Sequence, residues 1–514
     1  MMPELKQFLF RQGCQWLLPV GLLICWWQGS IHGWMSVQIL PSPGTVLDTA
    51  RTFIPQDLLD QLPVSLWRLA IGLIGGIVVG ILLGCLLGLS HRANHLLMPL
   101  FTVLVQIPTL AWIPLLMLWL GIGDALKLTL LIKAVTVPVA LYISAGIGEL
   151  PPKLREMAYV LRLPVRVYLC RVVVPALLPF LMTGIRLAFS QGWVSLIAVE
   201  LLASSEGLGY LLVESRQLFM LDQVYICVIV IGLLGFVAEK GLQWLSDRWI
   251  HWPSPVAGAV TLPPTRLFDL TGWLLPCGLL VVWQVASGEG WLNNTFFPAP
   301  FQVTETLLAG LIHGQFSQDL YSSILRMLQG FAIGAVTGGL CGLATGGLPW
   351  VDRLVTPLFS GLRSVAIFAW LPLITAWFGL GETARLAFIA ITSFFPVLLS
   401  THQAVVQLPP VLLETSNALR LPPISKIRYL ILPGVLPGLF TGLRLGMMHA
   451  WVGTIGAEYF ISSGEGIGSM IMRAQQLMAA DRVMAGIVLI AAVAAVISFL
   501  IRRLEQRLMR WRYQ

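Results

Sequence analysis

Two stretches hold the residues best suited to chemistry, and that chemistry is docking rather than bond making. They read EMAYVLRLPVRVYLCRVVVP, from Glu156 to Pro175, and ETSNALRLPPISKIRYLILP, from Glu414 to Pro433. Each opens as a short helix with Glu156 or Glu414 near its N-terminal end, where the helix dipole favours a carboxylate. LRLP then ends that helix, because proline cannot continue it. Arg162, Arg166 and Arg171 follow in the first copy, and Arg420, Lys426 and Arg428 in the second. An exposed acidic-tipped helix ringed by cations is an ion-pairing dock. One such segment could be an ordinary basic loop; two with matched spacing point to a shared role.

No other constellation competes. A phosphate-cradling G-x4-G-K-[ST] loop is missing, since none of Lys6, Lys127, Lys133, Lys153, Lys240 and Lys426 follows a glycine. The expectation is therefore a chain that is not an enzyme and has no cofactor of its own. The seven cysteines, Cys14, Cys25, Cys85, Cys170, Cys227, Cys277 and Cys341, are scattered and form no C-x-x-C pair. They read as small buried hydrophobes, and no metal ligand set stands out.

The elements that carry these loops must cross a bilayer. The 514 residues are 57% hydrophobic and 11% charged, with mean hydropathy +0.83; soluble domains carry about 25% charged residues. Apolar stretches long enough for a hydrocarbon core of about 30 Å fall at 14–30, 65–89, 97–120, 125–148, 176–203 and 224–245. A second set falls at 272–287, 323–347, 355–378, 384–406, 434–461 and 482–501. About twelve transmembrane helices are expected, the first and seventh being short. With the N-terminus inside, the inner loops and tails hold nineteen Lys and Arg, among them Lys6, Arg92, Lys153, Arg248, Arg353 and Arg502, while the outer loops hold Arg51, Arg216 and Arg473. Positive residues collect on the cytoplasmic side, so both termini are expected there, in a multi-pass protein of the cytoplasmic (inner) membrane. The same bias explains the net charge of +8, and no basic run interleaved with aromatics suggests nucleic acid.

The chain repeats itself. At a shift of 258, Ser65, Arg68, Trp112, Pro114, Gly184, Arg186, Trp193 and Glu200 meet Ser323, Arg326, Trp370, Pro372, Gly442, Arg444, Trp451 and Glu458. An even number of spans per half makes the copies parallel, related by a two-fold axis along the membrane normal. The expected division is 1–60 (first span and outer loop), 61–247 (first repeat domain), 248–271 (linker rich in Pro), 272–318 (seventh span and outer loop), 319–505 (second repeat domain) and 506–514 (basic tail). Glycine recurs every fourth residue in the second span of each half, at 72–88 and 330–346, a stripe that lets another helix approach closely or, alternatively, forms a gate.

Ionisable and polar side chains inside a bilayer usually face a cavity or a partner. Gln106, Trp112, Arg186, Gln191, Trp193, Trp370, Arg444, His449 and Trp451 are the candidate pathway residues. Arg186 and Arg444 read equally as snorkelling to the interface. They cannot pair with Glu200 or Glu458 of their own spans, fourteen residues and about 21 Å away. Pro108, Pro114 and Pro372 interrupt the third and ninth spans, where irregular backbone often lines a cavity.

The two docking loops resemble the E-A-A-x3-G-x9-I-x-L-P loop of binding-protein-dependent ABC importer permeases. Glu156 and Glu414 take the E position, Ala158 and Ser416 the second A, and Pro175 and Pro433 the closing P. Arg162 and Arg420 stand where the family has glycine, which puts the local turn in question. Most of each half, from SLWRLAIG and SILRMLQG onward, is similar to the nitrate/sulfonate/taurine/bicarbonate branch. The resemblance implies two type I ABC importer permease repeats in one all-α chain, at 61–247 and 319–505, whose loops couple to two cytoplasmic ATPase subunits that bind the ATP, while a substrate-binding protein docks outside. It also implies that a small anion is carried. A secondary transporter with parallel six-helix repeats is the alternative; it does not require the paired loops.

Overall fold

The computed structural model describes residues 2–150, 156–157, 160–250, 270–461 and 464–508. Among these residues the chain is helical throughout, with no strand. In the first half, α1 (Met2–Ile31) and α2 (Pro43–Phe53) lead into α3 (Leu59–Leu89), α4 (His91–Gln106), α5 (Ile113–Leu120), α6 (Asp124–Gly148), α7 (Val174–Ala203), α8 (Leu208–Gln217) and α9 (Leu221–Trp249). The second half repeats the order. It comprises α10 (Leu274–Gly288), α11 (Pro300–Ile312), α12 (Gln315–Gly347), α13 (Pro349–Ser364), α14 (Leu371–Phe378), α15 (Glu382–Val406), α16 (Pro410–Ala418), α17 (Leu432–Phe460), α18 (Ile467–Gln476) and α19 (Ala480–Leu508).

Eight of these helices are long and apolar enough to cross a membrane. The third and ninth spans expected from hydropathy are not straight rods. After Gln106 the chain turns by 88° before Thr109–Leu120, and after Ser364 by 95° before Ile367–Phe378. Counting each bent pair as one crossing gives ten. The first and seventh spans correspond to shorter apolar helices, Leu17–Ile31 and Leu274–Gly288. α9 continues through Trp249 and a 3-10 turn begins at Leu270; most of the expected linker, residues 251–269, lies outside those described.

The glycine stripe is a packing surface. A Cβ on Gly72, Gly76, Gly80, Gly84 or Gly88 would sit 2.5–2.7 Å from side-chain atoms of Leu131, Val135, Val139, Ile143 or Ile147 on α6. In the second half, Gly330 meets Ile389 and Gly346 meets Val405, both on α15. With lipid on the outside there is no hydrophobic drive between helices, so close backbone approach and dispersion must supply association. α7 and α17 then pack on α6 and α15, completing a three-helix core in each half.

The halves interlock. The bent α13–α14 segment packs against α7, α8 and α9, and its two-fold counterpart α4–α5 packs against α17, α18 and α19. α1 crosses to α13, and α10 crosses back to α4. A single apolar core therefore draws Leu69, Trp193 and Ile231 from one half and Phe368, Phe388 and Ala457 from the other.

Candidate functional site

In the second copy the charged loop is a helix, a left-handed turn and a wide helical turn that feeds a long rod, and Glu414 lies mid-helix in α16 rather than in its first turn; in the first copy the left-handed and wide turns recur. In the second copy, α16 ends when the Leu421 N–H donates to the Ser416 carbonyl at 3.1 Å and Arg420 takes φ 48°. That six-to-one bond across a left-handed residue is a Schellman cap, and Arg420 occupies the position that glycine favours. In the first copy, Leu161 N–H donates to the Met157 carbonyl at 2.9 Å and Arg162 has φ 46°. The turn put in question by arginine is therefore kept in both halves. A cation at the C-terminal end of a helix also suits the dipole, which offsets part of the steric penalty. Ser416 is buried within its helix; Ala158 lies outside the described residues.

After the cap, short turns at Val165–Tyr168 and Pro423–Lys426 lead into π turns at Leu169–Val173 and Ile427–Ile431. Pro175 and Pro433 lie one residue into α7 and α17. Their missing N–H and bulky rings disfavour an ordinary α turn against the carbonyl four residues back, and the wider turn before them accommodates that. Beyond, the helix runs uninterrupted from Arg166 to Ala203 and from Arg428 to Phe460. Glu156, Arg162, Glu414 and Arg420 are exposed. So are apolar neighbours that water does not favour: Val160 is 78% exposed, Leu419 67% and Tyr429 70%. Each long helix therefore carries exposed apolar side chains among charged ones at this end.

At the far end of the same rods is a buried polar cluster that sequence reasoning aligned but did not assemble. Glu200 accepts from the Ser65 hydroxyl at 2.8 and 2.9 Å, from Arg68 Nη1 at 3.3 Å and from the Gly209 N–H at 3.0 Å. Arg68 Nε reaches Asp124 at 2.8 Å. The first N–H groups of α8 are thereby capped from outside their own helix: Gly207 by Gln61, Leu208 by Ser65 and Gly209 by Glu200. The second half repeats this with Gly466 on Asp319, Ile467 on Ser323 and Gly468 on Glu458. There, Arg326 binds Glu458 and grips Glu382 through Nε at 2.7 Å and Nη2 at 2.8 Å. Glu200 and Glu458 thus find partners on other helices. The signal was present in the sequence as an Arg and a Glu at matched places in two apolar repeats, but their partnership is a tertiary fact.

The pathway candidates separate into groups. Arg186 and Trp193 line one cavity of about 370 Å³ between the halves. Gln191 and His449, two-fold mates on α7 and α17, are both exposed, and His449 Nδ1 lies 2.8 Å from the Leu445 carbonyl. Gln106 is half-buried at the bend after α4, and Trp112 ends the following turn with Lys133 Nζ 5.3 Å above its ring. That turn packs on α17; the turn ending at Trp370 packs on α7. Arg444 pairs with Glu505 at 3.7 Å. Trp451 is placed elsewhere: it is 1% exposed and its indole N–H donates to the Ile490 carbonyl at 3.2 Å, a core residue rather than a lining one.

Duplicated apolar bundles, each with an exposed charged loop at the foot of a long membrane helix, have the architecture of a transport permease. The chain belongs to the family of binding-protein-dependent transport system inner membrane components, which it matches twice, over residues 76–251 and 332–510. It is a permease component of an ABC importer, with two such domains in one polypeptide. A Bacillus subtilis protein assigned as an aliphatic sulfonates transport permease is 33% identical over 262 residues, spanning 51% of this chain and 95% of the relative. The taurine transport system permease protein of Escherichia coli is 31% identical over 272 residues, spanning 52% and 95%. The bicarbonate transport system permease protein of Synechococcus elongatus is 32% identical over 260 residues, spanning 47% and 91%. Each relative is about half as long as this chain and is matched along nearly its whole length.

Proposed function

We propose that this chain forms the whole membrane pathway of an importer for a small anion of the nitrate, bicarbonate, taurine or sulfonate kind. Two separate ATPase subunits dock on the loops at Glu156–Pro175 and Glu414–Pro433, and a solute-binding protein delivers cargo at the opposite face. Both termini lie in the cytoplasm, as the Lys and Arg distribution favours. The chain itself hydrolyses no ATP. The domain limits are 61–247 and 319–505. Gln106, Trp112, Arg186, Gln191, Trp193, Trp370, Arg444 and His449 contribute to the pathway. Exposed polar side chains such as Gln191 and His449 in the middle of apolar helices are costly against lipid, which supports their facing a solvated route.

The observation that carries the reading is the twofold recurrence of one docking unit: acidic helix, left-handed arginine, π turn and membrane rod. As the two ATPase subunits close on each other, they would draw the two loops together, and the rods transmit that displacement to the bundle. The deciding experiment is uptake of labelled anions into proteoliposomes holding this chain, its ATPase and its binding protein. Uptake that requires ATP and is abolished by Glu156→Arg together with Glu414→Arg is expected. Full-rate flux without the ATPase would sink the reading and favour an ion-coupled carrier.

A further inference from the structure

The cavity between the halves carries a set of donors that the helix core does not use. Arg186 on α7 lines it, and its guanidinium has no ion-pair or hydrogen-bond partner among the described residues. Trp193, one turn pair further along α7, lines it too; it is 4% exposed and its indole N–H is unpartnered. From the other half comes Arg363, at the end of α13, whose Nη2 lies 2.6 Å from Glu239 on α9. Ser190 and Gln403 add neutral polar groups to the wall. Two arginines and one glutamate leave one net positive charge in a cavity walled by apolar spans. The Arg363 side chain is 44% exposed and Arg186 half-buried, so both guanidiniums are free to meet a solute, while the buried Trp193 indole N–H is left without a partner, which is unfavourable. One ligand suits this set of donors: a monovalent oxyanion, planar or tetrahedral, that offers acceptors to the guanidiniums and the indole.

From this geometry we propose that Arg186, Arg363 and Trp193 form a single anion-binding site, with Glu239 as a built-in competitor that holds Arg363 when the site is empty. The proposal rests on the importer reading and deepens it. The site occurs once per chain, despite the duplication. At the two-fold position, Val105 replaces Arg363, Met448 replaces Ser190, Ser498 replaces Glu239 and Ala145 replaces Gln403. The remaining arginine, Arg444, is taken by Glu505. A fused chain can diverge in this way, because the two halves no longer have to serve both sides of the pathway with one sequence.

The test uses the full-length chain purified in detergent and, in parallel, the reconstituted complex with its ATPase and binding protein. The probes are sodium nitrate, sodium bicarbonate and taurine, whose sulfonate is the accepting group, with sodium chloride at equal ionic strength as the control that offers no oxyanion. Thermal unfolding of the wild type should shift upward with at least one anion. Arg186→Gln and Arg363→Gln should weaken that response about tenfold or more, the loss of a charge-assisted bidentate contact, whereas Arg51→Gln, at an exposed surface pair with Asp48, should leave it unchanged. Glu239→Gln should strengthen it several-fold, since Arg363 is then released; a purely structural Glu239 would give no gain. Equal anion response in wild type and both arginine variants overturns the site, even where the complex imports the anion. The absence of any anion shift in the wild type also overturns it. An anion shift that follows this pattern without ATP-driven uptake leaves the site standing and removes the importer reading instead.

Discussion

The residue that most tests physical reasoning here is arginine in a glycine's place. A left-handed conformation costs an L-residue about 1–2 kcal/mol, yet Arg162 and Arg420 both adopt it. The cap geometry is therefore specified by the helix, its proline stop and the six-to-one bond, and not by glycine's freedom. Arg420→Gly is expected to keep ATP-driven uptake and to raise the stability of the loop by no more than about 1 kcal/mol, as gained backbone relief is partly cancelled by unfolded-state entropy. Arg420→Val, with a β-branched side chain at positive φ, should cut uptake severely while the protein still inserts. Comparing uptake with ATPase stimulation for the two variants separates loss of docking from loss of fold. At the opposite end of the rods, Arg326→Ala removes the cation from a buried carboxylate, Glu458, that is wholly inaccessible. A loss of about 3–5 kcal/mol is expected, against about 1 kcal/mol for Ser323→Ala, which removes one cap. Chemical denaturation of the purified chain measures both. The halves' self-similarity made these residues visible in the sequence. Their contacts were not, because Ser323, Arg326, Glu382 and Glu458 come from three helices that only packing brings together.

At the scale of elements, hydropathy located nearly every long helix to within a few residues, since a bilayer imposes length and composition directly. It could not see the bends in the third and ninth spans. Pro108 offers a local cause in the first half, because the residue before a proline is pushed toward extended backbone, and Ile107 has ψ 113°. The second half bends by a similar angle at Val365–Ala366, with no proline at that point. The bend is thus set by where α13–α14 must lie against α7 and α9, and proline only makes it easier. The glycine stripe shows the reverse case, in which the sequence already holds the tertiary fact. Gly80→Val is expected to destabilise the bundle by about 1–3 kcal/mol through overpacking, because the new Cβ would meet Val139 at 2.7 Å. Gly278→Ala, at a glycine with nothing within 4 Å, should instead be neutral or stabilising by about 0.5–1 kcal/mol. Thermal unfolding of the two variants side by side distinguishes packing from helix propensity.

At the scale of the whole molecule, the question is what the covalent fusion adds to two domains already shaped to fit. α1 leaves its own half to lie on α13, α10 returns the exchange by lying on α4, and Phe368 and Trp193 share one core across the boundary. Neither half can bury its bent third-span segment alone: without a partner, Ile107, Ala111 and Leu115 would lose the Ile455, Ile471 and Ile490 wall. Association should therefore survive cutting the chain between 251 and 269, because the interface buries core residues of both halves and α1 and α10 clasp each other's domains. Co-expressed halves are expected to copurify as a one-to-one pair that retains ATP-driven uptake, and each half expressed alone should aggregate or be degraded. Two copies of the first half, by contrast, should not substitute for the native pair, since Gln191 would stand in the place of His449 and Val105 in the place of Arg363. If the separated halves fail to find each other, the linker is structural rather than a tether, and the exchanged helices contribute less to assembly than their placement implies.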